Sequence, residues 1–226
     1  MNCNYIKEIE DFCSELGLAI SDVENRISEM KPNTGNYFDE TGSKTGTLMP
    51  FYFSAVSLVI NHATNILEIG AGFGRMTAFL ARVFPEAMVY TIDIPSNEKH
   101  YVKLTTREER KKVFERNINR SNIRFIEKDS FFLPSMGLPC EFDLIYVDGG
   151  HKYPVVAWDA MFAYNSLRSG GFVFFHDYRA DGDTDVESTI KYIKDIICEE
   201  IKMLPGDMTP DIRKVAWFRK STKEEN

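Results

Sequence analysis

The chain has 226 residues, and its 34 Asp and Glu outnumber its 27 Lys and Arg, which gives a formal net charge of −7 at pH 7. This acidic balance argues against nucleic acid or an anionic membrane as a partner, and the length fits one large α/β domain with or without a small cap. No apolar run approaches the roughly 18 residues of a membrane helix, and acids stand where a signal peptide would be apolar, so we expect a soluble, cytoplasmic protein with a small-molecule ligand.

Two short helices are predicted at the start of the chain. Apolar residues recur every three or four positions as far as Gly17, and Ser21 with Glu24 has the spacing of a capping box for a second helix that ends before Pro32. Residues 33–47 are rich in Gly, Thr, Asn and Ser, which is typical of a lid loop or of a disordered segment. We expect these first residues to form a cap over the site, a contact of a homodimer, or simple packing against the core.

A strand, a tight turn and a helix are predicted around three glycines at alternate positions. The apolar run 65–69 contains Glu68 and is followed by Gly70, Gly72 and Gly74, after which apolar residues recur at helical spacing. Glycines let the backbone approach a ligand closely, and the helix N-terminus behind them presents free N–H groups. Because Glu68 adds negative charge, the turn suits a ligand with cationic groups better than a pyrophosphate.

The next strand ends in an acid that supports this interpretation. The strand is predicted over 87–92 and stops at Asp93, about twenty residues beyond the glycines, where a doubly wound fold places an acid that accepts hydrogen bonds from ribose hydroxyls. Glycine turn and spaced acid together predict an adenosine-containing ligand. A third strand, predicted over 122–126, is followed by Asp129 and Ser130.

The stretch from Glu68 to Gly74, with Asp93 after it, resembles motif I and the next acidic motif of the class I S-adenosylmethionine-dependent methyltransferases, and the resemblance extends over about residues 48–219. It implies an α/β fold: a doubly wound, Rossmann-like sheet of seven strands, mostly parallel with an antiparallel last strand, and helices on both faces. The methyltransferase domain is then expected over 48–220, after a small N-terminal helical cap and loop over 1–47 and before a tail over 221–226.

The same resemblance implies which residues bind the cofactor. It implies that the amino-acid part of S-adenosylmethionine is surrounded by the motif I residues Glu68, Gly70, Ala71 and Gly72. It further implies that Asp93 binds the ribose, and that Asp129 and Ser130, after the third strand, meet the adenine. For Asp129 the alternative is an Asx turn, in which the carboxylate bonds to the local backbone.

Two later strands also end in titratable side chains. Asp148 and His151 follow the fourth predicted strand, over 142–147, and His176 and Asp177 follow the fifth. In a parallel sheet these ends face the same crevice as the glycine turn. Such a cluster can bind a divalent cation through its carboxylates, place a histidine as a general base, or do both.

The pattern V-D-G-G-H-x-Y, a helix, and then G-G-F-V-F-F-H-D-Y resembles the small-molecule O-methyltransferases that act on sugar hydroxyls of macrolide and aminocoumarin products, the macrocin type, and more distantly the catechol type. The resemblance implies Asp148 and Asp177 as ligands of Mg²⁺. His176 stands where a further acidic ligand is often found, and His151 where the catechol type carries a basic residue. A metal-bound hydroxyl has a lowered pKa, and a nearby base removes its proton as the methyl group is attacked.

The remaining elements are predicted from periodicity. A helix is expected over 154–167, on which Trp158 would pack and Asp159 would lie on the surface, and a strand over 172–175 follows. A helix begins near Thr184, after Asp181 and Asp183, two acids that could line the substrate entrance. Residues 213–219 alternate as an edge or hairpin strand does, after a short connection.

These observations favour an S-adenosylmethionine-dependent O-methyltransferase for a small hydroxylated acceptor, such as a sugar, a natural product or a phenol, with or without Mg²⁺. An NAD(P)-dependent oxidoreductase would share the glycine turn and Asp93, but its glycine spacing differs. A third alternative is a methyltransferase-like domain that binds a ligand without turnover. A nucleic-acid methyltransferase is disfavoured by the acidic balance and by the lack of an Asn/Asp-Pro-Pro-Tyr stretch after the fourth strand.

Overall fold

The computed structural model describes residues 3–30, 48–94, 107–178, 185–197, 199–206 and 214–222. The predicted loop over 33–47, the acids Asp181 and Asp183, and most of the tail lie outside these residues. Among the helices of the described part, none is both long enough and apolar enough to cross a membrane.

The described part alternates helices and strands, as the sequence predicts. The helices are α1 Cys3–Glu15, α2 Ile20–Met30, α3 Met49–Val59, α4 Arg75–Val83, α5 Arg107–Ile118, α6 Val155–Ser166 and α7 Val186–Ile197. The strands are β1 Asn65–Ile69, β2 Met88–Asp93, β3 Ile123–Glu127, β4 Phe142–Val147, β5 Leu167–Phe175, β6 Lys202–Pro205 and β7 Lys214–Arg219, and a short 3-10 helix covers Ser130–Ser135.

Within the described residues the strands form one seven-stranded sheet in the order β3-β2-β1-β4-β5-β7-β6. Strands β1 to β5 are parallel, and β7 runs antiparallel between β5 and β6. Helices α1 to α4 contribute to the buried cluster on one face, and α6 and α7 to the cluster on the other. The predicted doubly wound α/β fold is confirmed.

The sequence analysis predicted an edge or hairpin strand over 213–219, and the hairpin alternative is confirmed, because β7 pairs antiparallel with the preceding strand β6. Strand β7 is not an edge, since it also pairs with β5 and Trp217 and its apolar neighbours are buried. The true edge is β6, in a segment that the sequence analysis treated as a connection because of its Pro-Gly pair. Pro205 is compatible with this strand because it lies at the end of an edge strand, where a missing N–H is tolerated.

Strand β5 begins five residues earlier than predicted, directly after α6. Gly170 and Gly171 indicate a turn in the sequence, but here they lie within the strand, whose register against β4 shifts between Phe142 and Leu144. Gly170 has φ +76°, and a Cβ on Gly171 would lie 2.9 Å from the Asp143 carbonyl oxygen. The glycines therefore permit a bulge with close backbone contact.

The first helix packs against the sheet. The Phe12 ring lies 5.0 Å from that of Trp217 and 5.2 Å from that of Tyr52, and the Tyr52 hydroxyl donates to the Pro205 carbonyl at 2.8 Å. Of the three roles expected for this segment, packing is therefore present.

The start of α2 differs from prediction: Asp22 Oδ2 accepts from the Ala19 N–H at 2.8 Å, so the helix begins before Ser21.

Asp143 connects three strands at the end of the sheet opposite the glycine turn. It is buried, its Oδ2 accepts from the backbone N–H groups of Thr64 at 2.7 Å and Asn65 at 2.8 Å, and its Oδ1 lies 2.7 Å from Arg168 Nη1. Removing the Asp143 carboxylate would leave the N–H groups of Thr64 and Asn65 and the Arg168 guanidinium without this acceptor.

We therefore expect Asp143→Ala to lower the free energy of unfolding by about 3 kcal/mol or more, measured by urea denaturation followed by circular dichroism. Asp195→Ala, at an exposed site on α7, is the matched control and should stay within about 0.5 kcal/mol of the wild type. Equal stabilities of the two variants would contradict this role for Asp143.

Candidate active site

The glycine turn is held by a close approach of two strand ends. Gly70 has φ +98°, and a Cβ there would lie 2.1 Å from the Asp148 carbonyl oxygen. Backbone hydrogen bonds fix the approach: Gly70 N donates to Ile92 O, and Asp148 N donates to Ile69 O, each at 2.8 Å. Only glycine fits at position 70, because the space and the dihedral angle both exclude a side chain.

The middle of the turn is open and is tied to Asp93. Gly72 has φ +53°, and no described atom outside its immediate neighbours lies within 4 Å of the place that a Cβ would take. Its N–H donates to Asp93 Oδ2 at 2.7 Å, so the acid at the end of β2 braces the turn. Asn117 on α5 donates to the Phe73 carbonyl at 2.8 Å and supports the turn from the other side. The arrangement leaves room for a ligand against the backbone at Gly72.

Glu68 is fully buried and faces α4 and β2. Its Oε2 accepts hydrogen bonds from the hydroxyls of Thr77 and Thr91, while Oε1 is buried without a hydrogen-bond partner among the described residues. Burial raises the pKa of Glu68 to about 7, the two threonines oppose the shift, and the nearby Asp148 and Asp93 add to it. The predicted contact of Glu68 with the cofactor remains a prediction.

After β3, Asp129 makes the local contact that the sequence analysis gave as the alternative. It caps the 3-10 helix, and its Oδ1 accepts from the Phe131 N–H at 2.8 Å. Ser130 is buried, and its carbonyl accepts from Trp158 Nε1 at 3.1 Å. The structure therefore links Ser130 to α6 and leaves Asp129 exposed at the surface.

Asp159 was predicted to lie on the surface, and this was wrong. The side chain is 0% exposed, and neither carboxyl oxygen has a hydrogen-bond partner among the described residues. A Cβ on Gly149 would lie 3.1 Å from Asp159 Oδ2, which places the acid beside the loop that follows β4. The spacing could have shown this, because Asp159 lies three residues after Val156 and four before Ala163 on the buried stripe of α6.

Burial raises the pKa of Asp159 from 3.8 to about 7, with Ser130 acting in the opposite direction. A carboxyl group whose pKa is raised by folding destabilises the folded state when it ionises. The free energy of unfolding of the wild type therefore falls as the pH rises from about 4 to about 7. We expect Asp159→Asn to remove this loss. Relative to the wild type, Asp159→Asn should therefore gain a few kcal/mol of unfolding free energy when the pH is raised from 4 to 8. Urea denaturation at several pH values measures it, and parallel pH curves would contradict it.

The structure brings the four predicted residues at the ends of β4 and β5 into one cluster. His176 Nδ1 lies 3.2 Å from Asp148 Oδ1 and 3.2 Å from Asp177 Oδ1. His151 Nε2 lies 3.7 Å from Asp148 Oδ1 and 3.5 Å from Asp177 Oδ2. Ligand atoms of Asp148, His151 and Asp177 all lie within 4.8 Å of one another, which is close enough to hold a metal ion.

Strand pairing and loop contacts position these side chains. His176 N donates to the Val147 carbonyl at 3.0 Å, and Asp177 has φ +53°, which is uncommon for a residue other than glycine. Asp185 N donates to the His151 carbonyl at 2.7 Å. Tyr146, which the sequence analysis did not single out, donates its hydroxyl to Asp148 Oδ2 at 3.0 Å. Its position two residues before Asp148 on a fully buried strand gives no sequence signal for this role.

The cluster is strongly coupled electrostatically. Burial alone would lower the pKa of His176, but Asp148 and Asp177 raise it to about 10. Burial opposes ionisation of Asp148, yet His176, His151 and the Tyr146 hydroxyl hold its pKa well below the usual range. The contact with Asp148 raises the pKa of His151, against the effect of burial. Two ionised carboxylates therefore face positive charge or a cation at this site.

Residues 67–178 match a family model described as a methyltransferase domain. The matched span runs from β1 to Tyr178 and so contains the glycine turn, Asp93 and the cluster. This chain therefore contains a methyltransferase domain. The predicted family is thereby confirmed, and no curated protein matches this methyltransferase significantly.

Several solved structures share the fold of this methyltransferase. The O-methyltransferase TomG from Streptomyces achromogenes, involved in tomaymycin synthesis and solved in complex with S-adenosylmethionine, is 16% identical, with 76% of this chain and 79% of TomG covered and a TM-score of 0.54. An O-methyltransferase family protein from Burkholderia thailandensis is 14% identical with a TM-score of 0.54, and the match covers 78% of this chain and 57% of that protein's length.

A protein from Clostridium thermocellum described as an rRNA-methylase is 16% identical, with 79% of this chain and 98% of that chain covered and a TM-score of 0.59. At such identities the likeness shows the fold of the methyltransferase and does not identify its acceptor.

Proposed function

We propose that this methyltransferase transfers the methyl group of S-adenosylmethionine to a hydroxyl of a small molecule, such as a sugar, a natural product or a phenol. The observation that carries the proposal is the position of the cluster: Asp148 and His151 follow the strand that pairs with β1, whose end forms the open glycine turn. A cofactor at the turn and an acceptor at the cluster would then be neighbours.

The cofactor would occupy the space against Gly72. Gly70 and Ala71 shape the turn through backbone contacts with Ile92, and Asp93 is already oriented by its bond to the Gly72 N–H. We propose that the Asp93 carboxylate binds the ribose hydroxyls. A hydrogen bond from a hydroxyl to a carboxylate contributes more binding free energy than a hydrogen bond to a neutral acceptor.

The predicted cofactor roles of the other motif residues remain part of the proposal. Because the Glu68 side chain has no exposed surface, it would act on the cofactor indirectly, by holding the end of β1 and helix α4 in position. Ser130, and Asp129 after release of its local bond, would meet the adenine. Asp129 is the weaker of the two, since its Oδ1 is engaged with Phe131 N.

His151 is suited to act as the general base. Its side chain is 31% exposed, so an acceptor can reach it, and its Nε2 lies between the carboxylates of Asp148 and Asp177, which stabilise the imidazolium formed when the proton arrives. In a direct displacement the acceptor oxygen bonds to the methyl carbon as the sulfur–carbon bond breaks, and the hydroxyl proton passes to His151. A positioned base of this kind contributes roughly 10² to 10⁴ in rate.

The carboxylates of Asp148 and Asp177 fit a divalent cation, because both are held ionised and their ligand atoms, together with that of His151, lie within 4.8 Å of one another. A bound ion would supply polarisation of the acceptor hydroxyl. With or without an ion, the side chains of this protein would orient that hydroxyl toward the methyl group.

The proposal is tested with methyl-labelled S-adenosylmethionine and a panel of catechols and sugar-bearing natural products. Each compound is paired with an analogue whose hydroxyl is already methylated, and total RNA is included as a competing acceptor. We expect transfer to at least one hydroxylated compound and none to its blocked analogue. Transfer to RNA without transfer to any hydroxylated compound, or binding of NAD(P) in place of S-adenosylmethionine, would overturn the proposal.

A further inference from the structure

We propose that Asp159 is a positioning residue for methyl transfer: from helix α6 its carboxyl group supports the loop of residues 149–151 and thereby places His151. The inference rests on the proposed function in the role that it gives to His151. No step of the proposed reaction uses Asp159 itself, although its side chain lies directly beside this loop.

The loop rests on helix α6 at two positions. A Cβ on Gly149 would lie 3.1 Å from Asp159 Oδ2 and 3.1 Å from Ile69 Cγ2, so this glycine fits between α6 and the end of β1. A Cβ on Gly150 would lie 3.0 Å from Val155 Cγ1. Val155 and Asp159 are four residues apart and therefore lie on the same side of the helix. The loop thus packs on one face of α6, where Asp159 provides the polar contact.

Backbone hydrogen bonds fix the two ends of this segment but not its middle. Asp148 N donates to the Ile69 carbonyl at 2.8 Å, and the His151 carbonyl accepts from Asp185 N at 2.7 Å. Between these two bonds, neither glycine N–H makes a backbone hydrogen bond to any residue that the structure describes. Because glycine restricts the backbone least, the position of the middle depends on contacts from outside the loop.

Asp159 offers acceptors that suit these donors. Its side chain is 0% exposed, and neither carboxyl oxygen has a hydrogen-bond partner within the described part of the chain. A buried polar group without a partner costs free energy, which a suitable donor offsets. A small displacement of the loop, or one buried water, would join the glycine N–H groups to the carboxyl group. The contact would then hold the loop, and with it His151, in one position.

The cofactor side of Asp159 is held independently. Ser130 lies close to Asp159, since it opposes the rise in the pKa of this acid. The Ser130 carbonyl accepts from Trp158 Nε1 at 3.1 Å, a bond that does not involve Asp159. Loss of the Asp159 carboxyl group should therefore displace His151 and leave Ser130 in place. The effect is expected on kcat rather than on the affinity for S-adenosylmethionine.

The experiment compares Asp159→Asn with Asp159→Leu in the full chain. Both residues branch at Cγ as Asp does, but only Asn retains polar atoms there. Asp159→Ala is a second variant that lacks the carboxyl group and adds no volume. Asp143→Asn, at a buried acid near the opposite end of the sheet, is the matched control, and circular dichroism verifies that each variant is folded.

The position of His151 is measured by nuclear magnetic resonance of the imidazole groups at one pH. The chain has 4 histidines, so the spectrum is simple, and His151→Gln assigns the signals. We expect Asp159→Leu and Asp159→Ala to shift the His151 signals and to lower kcat by at least about tenfold, with the affinity for S-adenosylmethionine within about threefold of the wild type. Asp159→Asn and Asp143→Asn should keep the His151 signals and a kcat within about threefold of the wild type.

Unchanged His151 signals in both Asp159→Leu and Asp159→Ala would overturn the proposal. Equal losses of kcat in these variants and in Asp143→Asn would also overturn it, because the effect would then be one of general stability. A parallel loss of kcat and of cofactor affinity would place Asp159 in the cofactor pocket instead. The imidazole signals need no methyl transfer, so shifted signals without transfer to any hydroxyl would contradict the proposed function and leave the contact between Asp159 and the loop supported.

Discussion

Replacement of Asp148 by Asn is expected to lower kcat by about 10³-fold while the affinity for S-adenosylmethionine changes by less than about threefold. Asn keeps the shape of Asp148 and can still accept from Tyr146. It lacks the charge that Asp148 Oδ1 presents to His176 at 3.2 Å and to His151 at 3.7 Å. The base would lose its stabilising partner, and the site would lose half of its negative charge.

Initial rates at saturating concentrations of both substrates measure this effect, with S-adenosylmethionine binding determined separately by calorimetry. Asp195→Asn, at an exposed site on α7, should behave as the wild type. An Asp148→Asn enzyme with near-normal kcat would show that the cluster does not participate in the chemistry. A variant that had lost cofactor binding as well would point to a structural role.

Replacement of Asp93 by Ala is expected to weaken S-adenosylmethionine binding by about 100-fold or more. Each hydrogen bond from a ribose hydroxyl to a carboxylate is worth about 1.5 to 3 kcal/mol, and the substitution also releases the Gly72 N–H from the bond that fixes the turn. Asp93→Asn retains one acceptor oxygen, so its affinity should lie between those of Asp93→Ala and the wild type.

Calorimetric titration of the three proteins measures the order of affinities. Asp195→Ala serves as a control for loss of an exposed carboxylate. Equal affinities of wild type and Asp93→Ala would mean that the acid at the end of β2 does not contact the cofactor, whatever its effect on the turn.

The core of the fold could be predicted because local pattern and tertiary environment agree there. Strand β1, the glycine turn and α4 have apolar periodicities that change from strand to helix at Gly70, and the structure places them accordingly. The turn also has a local cause, since Gly70 lies where no side chain fits. Such positions are fixed by short-range chemistry that a single sequence contains.

The errors fell where long-range pairing overrides local signals. Gly170 and Gly171 have the composition of a turn, yet they extend β5 because the backbone of β4 lies alongside them. Strand β6 has only four residues and ends in proline, and it exists because β7 offers it a partner. Neither pairing has a signature in the nearby residues.

The candidate site was predictable in its membership but not in its geometry. Parallel strand ends share one edge of the sheet, so His176 and Asp148 could be placed together from topology alone. That His176 and His151 each contact both carboxylates depends on side-chain directions and on the left-handed backbone at Asp177. Asp159 was missed because its charge was given more weight than its position on the buried stripe.

Calorimetric titration of the native chain with S-adenosylmethionine and S-adenosylhomocysteine, in the presence of Mg²⁺ and then of EDTA, tests the central claim most directly. The account predicts micromolar or tighter binding of both ligands, with stoichiometry near one, under both conditions, because the turn and Asp93 bind the cofactor without help from the cluster. No binding of either ligand would contradict the assignment of the glycine turn as a cofactor site and with it the proposed methyl transfer.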